Sequence, residues 1–130
     1  MIRGGGGGGN VMERVLLQEA GLDKALWLDI EAPAAEDLTR LGADYRLHPE
    51  AVADCMEPMH LPKYEKLGEV TFMIVRTFDA GAKASEDDIH TMTKKLALFL
   101  GNRFLITVHR RPEPFIDQVA GYFRDTKEPV

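Results

Sequence analysis

The apolar positions of this chain follow two different spacings, which predict two kinds of element. Residues 25–30 (ALWLDI) are almost continuously apolar and are followed by Pro33, a pattern typical of a buried strand that gives way to a first helical turn. Apolar residues then recur at helical spacing, at Ala34, Leu38, Leu41 and Tyr45. The pattern therefore predicts a strand followed by an amphipathic helix.

A second, shorter helix is predicted from His48-Pro49. Its apolar residues fall on one face: Val52, Cys55, Met56 and Met59. His48, directly before a proline, is suited to support the helix start. Pro58 and Pro62 should end the helix, because proline lacks a backbone N–H.

Strand signals dominate the second half of the chain. Residues 62–67 are compatible with a short strand, and residues 70–78 (VTFMIVRTF) predict a longer one because they are rich in β-branched and aromatic residues. After a polar loop, residues 89–100 and 103–109 predict two strands joined by Gly101-Asn102, a link typical of a type II′ hairpin. From Pro112 onward, apolar residues at helical spacing predict a last amphipathic helix: Phe115, Ile116, Val119 and Phe123.

The first part of the chain is less regular. Residues 4–9 are all glycine, so we expect residues 1–10 to form a flexible leader and residues 11–130 to form one domain. Residues 11–25 are compatible with a helix or, over residues 14–18, with a short strand. The predicted order is strand, two helices, a three-stranded meander and a helix, which indicates an α+β fold or a mixed α/β/α sandwich.

Composition narrows the possible functions. A chain of 130 residues, 45% of them hydrophobic, can bury one core. The net charge is −5, and the longest basic runs are the pairs at residues 94–95 and 110–111, which argues against a nucleic-acid partner. The longest apolar run, residues 96–100, falls far short of the roughly 20 residues that a membrane-spanning helix needs. The single cysteine, Cys55, excludes an internal disulfide and is expected to be a buried, inert thiol.

Four segments, in one order, carry a family resemblance. Residues 25–33 (ALWLDIEAP) resemble a "WIDL…P" motif, and residues 47–55 (LHPEAVADC) resemble "LHP…ED". Residues 61–65 (LPKYE) are similar to "RPK…E", with Leu61 where arginine is usual, and residues 98–109 (LFLGNRFLITVH) are close to "FLGKNFLITVH". These motifs belong to the soluble domain of the CorA family of magnesium and cobalt transporters, and they cover about residues 25–112.

The resemblance implies a fold and a setting. The fold is α/β (α+β), with a mixed, largely antiparallel sheet sandwiched by helices, on the cytoplasmic side of the inner (plasma) membrane. In the family this domain precedes a long stalk helix and two membrane helices, and five copies surround one pore. Since the sequence stops at Val130, before the stalk, we expect it to be the regulatory part of a homopentamer and not an enzyme.

The resemblance also implies a metal site. In family members the acidic residue at the position of Asp54 helps to hold a regulatory divalent cation between subunits, opposite an acid on the neighbour's stalk helix. Mg²⁺ is the expected ion and Co²⁺ a further one; Mg²⁺ needs only one or two carboxylates because it keeps several waters. Glu50 and Glu57 could share the face of Asp54, although a solvated helix surface is the favoured interpretation of both. The second acid that often precedes this position is replaced by Ala53.

Two other groups are weaker metal candidates. The densest acidic cluster consists of Glu86, Asp87, Asp88 and His90; it lacks the pattern of a calcium loop, and a solvated hairpin tip is favoured. The remaining histidines, His48, His60 and His109, show no HExxH or HxH pairing, so zinc would need ligands from distant parts of the chain. A zinc-transporting branch of the same family leaves the identity of the ion open.

The hypotheses for function come from different classes. The first is the soluble cytoplasmic regulatory domain of a CorA-like divalent metal ion transporter, which senses the cytosolic cation and gates the pore together with other copies of itself. The alternatives are a stand-alone partner-binding module of the same fold, or a domain of a zinc-transporting relative. A small hydrolase that uses Cys55 ranks last, because no spacing in the sequence supports a catalytic triad.

Overall fold

The computed structural model describes residues 12–18, 25–57, 60–78 and 93–126. Within these residues the chain forms six strands and three helices. In chain order they are β1 (Met12–Gln18), β2 (Leu26–Glu31), α1 (Ala35–Tyr45), α2 (Pro49–Asp54), β3 (Lys63–Leu67), β4 (Val70–Phe78), β5 (Thr93–Leu100), β6 (Phe104–His109) and α3 (Pro114–Thr126).

The strands form one mixed sheet in the order β1-β2-β6-β5-β4-β3. β2 and β6 run parallel, with Leu28 opposite Ile106, and the other four neighbouring pairs are antiparallel. A parallel pair needs a long crossover, and here the chain between β2 and β6 supplies α1, α2 and three strands. The prediction of a mixed, largely antiparallel sheet is confirmed.

Helices cover both faces of the sheet. Successive side chains of a strand point to opposite faces, so that Leu28 and Trp27 enter different cores. On one face the sheet packs against Leu38 and Leu41 of α1 and residues of α2. The other face carries a smaller core, to which α3 contributes Ile116 and Ala120. This two-sided packing is the sandwich that the sequence predicts.

Residues 12–18 lie in the region for which the sequence pattern allowed a helix or a strand, and they form a strand. β1 pairs with β2 as an edge strand, and Leu16 is its buried residue, beneath α3. The helical interpretation of residues 11–25 is therefore wrong for the part of this region that is described. The short strand predicted over residues 14–18 is confirmed and begins two residues earlier.

The second helix is shorter than predicted. α2 ends at Asp54, and the C-cap residue Cys55 donates its backbone N–H to carbonyl groups of the last turn. Met56 lies beyond the helix and is exposed rather than on a buried helical face. Lys95 of β5 donates to the backbone carbonyls of Asp54 and Glu57, and so satisfies acceptors that the end of α2 leaves without an intrahelical donor.

The hairpin between β5 and β6 differs from the predicted type. Leu100 pairs with Leu105, and the N–H of Gly101 donates to the carbonyl of Phe104 at 2.9 Å, so Asn102 and Arg103 are the two turn residues. A type II′ turn requires a positive φ at the first turn residue, and neither turn residue has one. Gly101 is needed for a different reason: a Cβ there would lie 2.2 Å from the Phe104 ring.

Other predictions lie outside the described residues. They are the glycine leader, the acidic cluster at residues 86–90, the first residues of the strand expected from residue 89, and Met59. Of the two large aromatic residues of β2 and β6, Trp27 is buried, and Phe104 is half-buried against the larger core.

Candidate functional site

The predicted metal ligand Asp54 is positioned by a well-defined short helix. Pro49 occupies the first turn of α2, and the ring Nδ1 of the N-cap residue His48 accepts a hydrogen bond from the N–H of Glu50 at 3.1 Å. This confirms that His48 supports the helix start. Asp54 is the last residue of α2, so its carboxylate faces β3 at the surface of the domain.

Asp54 lies between two basic side chains. Its Oδ2 accepts a hydrogen bond from Lys63 Nζ at 2.7 Å, and its Oδ1 lies 3.0 Å from His60 Nε2. Lys63 also bridges to Glu65 at 2.6 Å, which makes a small surface network. Partial burial alone would raise the pKa of Asp54, but the hydrogen bond and charge of Lys63, together with His60, lower it overall. The carboxylate is thus ionised, and its side chain is 22% exposed.

The two weaker candidates do not join Asp54 in one cluster. The side chains of Glu50 and Glu57 are exposed. Glu57 contributes its backbone carbonyl, together with that of Asp54, as an acceptor for the Lys95 ammonium group. In the described part of the chain, no three His, Cys, Asp or Glu side chains come together in a way that could hold a metal ion. Any cation held at Asp54 would therefore need ligands from outside this set.

A second polar cluster is buried between the sheet and α3. The carboxylate of Asp29 is fully buried in the middle of β2. It accepts hydrogen bonds from Thr107 at 2.6 Å, Arg14 at 2.9 Å and His109 Nε2 at 2.9 Å. Trp27 Nε1 donates to the Thr107 hydroxyl at 3.2 Å and extends the chain of hydrogen bonds.

His109 carries a positive charge in this cluster. Its Nδ1 lies 2.7 Å from the backbone carbonyl of Arg111, which can only accept, and its Nε2 faces an ionised carboxylate. Both ring nitrogens must therefore donate. Burial alone would lower the pKa of His109, but the hydrogen bonds to Asp29 and to the Arg111 carbonyl raise it overall. Burial alone would raise the pKa of Asp29, but the hydrogen bonds from His109, Thr107 and Arg14 lower it overall.

Sequence reasoning missed this buried cluster, although two signals for it are visible. An aspartate in the middle of the apolar run at residues 25–30 is expensive to bury without partners, so its position predicts a cationic neighbour. His109, an ionisable residue, ends the largely apolar strand that the sequence predicts over residues 103–109. The sequence gives no comparable signal for the partners of Asp54. Lys63 comes within hydrogen-bonding distance of Asp54 only because β3 lies beside the end of α2.

The single thiol agrees with its prediction. Cys55 is buried, and this burial raises its pKa to about 12. A thiol of that pKa is neutral at physiological pH and is a poor nucleophile.

Comparisons with known proteins decide the family. A family model described as "CorA-like Mg2+ transporter protein" matches residues 23–129. The chain belongs to this family. The resemblance carried by the four sequence motifs is thereby confirmed, and the family is one of transporters.

Individual relatives of this CorA-like chain are distant. It is 24% identical over 93 residues to YfjQ of Bacillus subtilis (strain 168), described as a metal ion transporter; the match covers 72% of this chain and 27% of YfjQ. The full-length CmaX structure matches with a TM-score of 0.65 and 21% identity over 82% of this chain and 32% of CmaX. The cytoplasmic domain of ZntB from Vibrio parahaemolyticus matches with a TM-score of 0.62 and 17% identity over 81% of this chain and 41% of that structure.

A CorA structure confirms the fold. The complete CorA magnesium transporter from Methanocaldococcus jannaschii matches with a TM-score of 0.57 and 18% identity, over 82% of this chain and 31% of that protein. The chain thus spans about a third of the length of the full-length relatives named here. Among its described helices, none combines the length and the apolar character that crossing a membrane requires.

Proposed function

We propose that this CorA-like chain is the cytoplasmic regulatory domain of a divalent-cation transporter, without enzymatic activity of its own. The family match over residues 23–129 carries this proposal. In the full-length protein the domain would sit on the cytoplasmic side of the inner (plasma) membrane, in a homopentamer. The short share of each full-length relative that the chain spans supports a role as one part of a longer transporter.

Asp54 is the proposed contact with the regulatory cation. Its carboxylate is ionised and partly exposed at the end of a helix, which suits an oxygen ligand for Mg²⁺. A single carboxylate fits this ion only if water and a second copy of the protein complete its coordination. Lys63 already neutralises one carboxylate oxygen, so a cation must compete with an ammonium group and binds weakly to one copy alone.

The proposed mechanism is feedback regulation, in which Mg²⁺ shifts the population of the transporter between a closed and a loosened arrangement. When Mg²⁺ is plentiful, ions at Asp54 bridge neighbouring copies and favour the closed arrangement of the transporter. When Mg²⁺ falls, the bridges are lost and the copies loosen. A cation can act in this way because it binds the bridged arrangement more tightly than the separated one.

Self-association of the chain in Mg²⁺ tests the role of Asp54. Sedimentation velocity with and without Mg²⁺ is expected to show a larger mean mass in Mg²⁺ for the wild type and little change for Asp54→Asn. Glu36→Gln, which removes one negative charge from an exposed position of α1, serves as the control for net charge and should behave like the wild type. An equal response of Asp54→Asn and the wild type would rule out Asp54 as the sensor.

Two further variants test the other candidate ligands, and two further ions test the identity of the cation. Glu50→Gln and Glu57→Gln test the weaker candidates by the same measurement, and each should reduce the response less than Asp54→Asn. Co²⁺ and Zn²⁺ in place of Mg²⁺ test the choice of ion. A response to Zn²⁺ alone would favour the zinc-transporting branch as the source of this domain.

A further inference from the structure

Lys63 lies between two carboxylates at the start of β3. Its Nζ donates to Asp54 Oδ2 at 2.7 Å and lies 2.6 Å from Glu65 Oε1. Asp54 is the last residue of α2, whereas Glu65 follows Lys63 by two residues on the same strand. Residues i and i+2 of a strand point to the same face, so the side chains of Lys63 and Glu65 lie beside each other. One ammonium group therefore joins the end of a helix to the edge of the sheet.

The ammonium group of Lys63 is charged and accessible to water. The hydrogen bonds to Asp54 and then to Glu65 raise the pKa of Lys63 above its usual value of 10.5. Its Nζ lies 5.8 Å from the centroid of the buried Phe72 ring, whose face attracts a cation. The side chain is 32% exposed, and lysine carries three rotatable donors on a flexible stem. Lys63 can therefore move from one acceptor to the other without losing its contact with water.

The two carboxylates differ in their surroundings. Asp54 Oδ1 also lies 3.0 Å from His60 Nε2, and the Lys95 ammonium group donates to the backbone carbonyl of Asp54. Asp54 is thus surrounded by basic groups, and its side chain is 22% exposed, compared with 40% for Glu65. A further cation that approaches Asp54 is repelled by these groups. Of them, Lys63 has a second carboxylate within hydrogen-bonding distance.

We propose that Lys63 competes with Mg²⁺ for Asp54 and so sets the Mg²⁺ concentration at which Asp54 is occupied, while Glu65 receives the ammonium group when the cation binds. This inference rests on the proposed function of Asp54 and concerns the regulation of that site. The exchange replaces one ion pair by another, because Glu65 is already in contact with Lys63. An exposed ion pair changes an equilibrium by a factor of up to about five, so the competition shifts the working concentration without preventing occupancy.

Nuclear magnetic resonance of the 130-residue chain during titration with magnesium chloride tests the competition. The carbon chemical shift of the Asp54 carboxylate reports its occupancy, and sodium chloride keeps the ionic strength constant. Lys63→Met keeps an apolar stem and removes the charge, so it should lower the Mg²⁺ midpoint by about twofold to fivefold. In the wild type, the ammonium nitrogen signal of Lys63 should move with the same midpoint as the Asp54 signal.

Lys66→Met is the matched control for this variant. It also removes one positive charge from β3, but Lys66 is exposed and points to the opposite face of the sheet from Lys63. Its Mg²⁺ midpoint should equal that of the wild type. An equal decrease in the midpoint for Lys66→Met and Lys63→Met would show that only the total charge of the chain matters and would overturn the proposal.

A double variant tests whether Glu65 acts through Lys63. Glu65→Gln should raise the midpoint by about twofold, because Lys63 then has Asp54 as its remaining acidic partner. The same substitution in the Lys63→Met variant should have little effect, since the group that Glu65 receives is gone. Glu69→Gln, in the exposed turn after β3, controls for charge and should have little effect in both backgrounds. An equal effect of Glu65→Gln in both backgrounds would mean that Glu65 acts on the cation directly, and its proposed role would be wrong.

The possible results separate this inference from the proposed function. A saturable response of the wild type that Lys63→Met leaves unchanged would overturn the competition and retain Asp54 as the contact with the cation. The absence of a saturable Asp54 shift in both the wild type and Lys63→Met would remove the proposed role of Asp54 and this inference with it. A response that appears only in Lys63→Met would support both, with Lys63 excluding the cation from a single copy.

Discussion

At the scale of single residues, the Asp29 carboxylate shows how a buried charge is accommodated. Burying an unpaired carboxylate is very costly, and Asp29 is fully buried. Three hydrogen-bond donors, two of them cationic, surround it: Arg14, Thr107 and His109. The cluster joins β1, β2 and β6, and Arg14 continues from it to Asp117 of α3 at 2.7 Å. One residue thereby links three strands and a helix.

Replacing Asp29 by asparagine should strongly destabilise the protein. The substitution keeps the shape of the side chain but leaves His109 and Arg14 without their buried counter-charge. We expect the free energy of unfolding to fall by about 3 kcal/mol, typical of removing one partner from a buried ion pair. Urea unfolding measures this change.

Asp117→Asn is the matched control for this prediction. It removes the other acidic partner of Arg14, but Asp117 is 58% exposed. An exposed ion pair contributes less than about 1 kcal/mol, so the loss should be small. Similar losses for both variants would show that the buried cluster is no more important than a surface ion pair.

At the scale of elements, glycine acts in different ways in the hairpin and in the last helix. Gly101 leaves room for the Phe104 ring, which packs against Tyr45 of α1 with ring centroids 5.2 Å apart. The hairpin end is thereby attached to α1. Gly121 of α3 has no neighbouring atom within 4 Å of the position that a Cβ would occupy. Glycine at that position only weakens the helix.

Alanine at these two glycines should change stability in opposite directions. Gly101→Ala forces the Phe104 ring away and should lower the free energy of unfolding by about 1–3 kcal/mol, as overpacking does. Gly121→Ala should raise it by up to about 1 kcal/mol, because alanine has the higher helix propensity. Thermal unfolding of both variants gives the comparison. A stabilised Gly101→Ala would mean that the ring does not occupy the space over residue 101.

At the scale of the whole molecule, titrating groups on both faces of the sheet define a range of pH in which the fold is most stable. The folded-state pKa values of Asp29 and Asp54 are lowered, so their contributions are present above the usual value of 3.8 and are lost as the pH falls through the lowered values. The pKa of His109 is raised, so its contribution is full below the usual value of 6.5 and is lost as the pH rises through the raised value.

Stability should therefore decline on the alkaline side of neutrality. Urea unfolding of the wild type from about pH 5 to about pH 9 should show this decline above the usual pKa of histidine. His109→Gln should be less stable at the acidic end of this range and should lose most of the alkaline decline, because the titrating group is gone. A wild type with constant stability across this range would contradict the assignment of a charged His109.

Much of the architecture is predictable from local patterns. The spacing of apolar residues within a single element is enough to predict strand β2, helix α1, strand β4 and the last helix. The motifs around His48, Pro49 and the β5–β6 hairpin are also contiguous, which is why they identify the family. Asp54 could be selected as a candidate in the same way, since it lies within such a motif.

The sequence by itself determined most of the elements after β1, their order, the family and the candidate ligand, because each depends on residues close together in the chain. Tertiary structure decided the rest. The carbonyl of Asp54 at the end of α2 accepts a hydrogen bond from Lys95, which follows forty-one residues later in the chain. Glycine is needed at residue 101 because the Phe104 ring packs beside it, and the partners of Asp29 come from two other strands, β1 and β6. The basic pairs at residues 94–95 and 110–111 also lie at the same end of the β5–β6 hairpin only because these strands pair antiparallel, which no local pattern reveals.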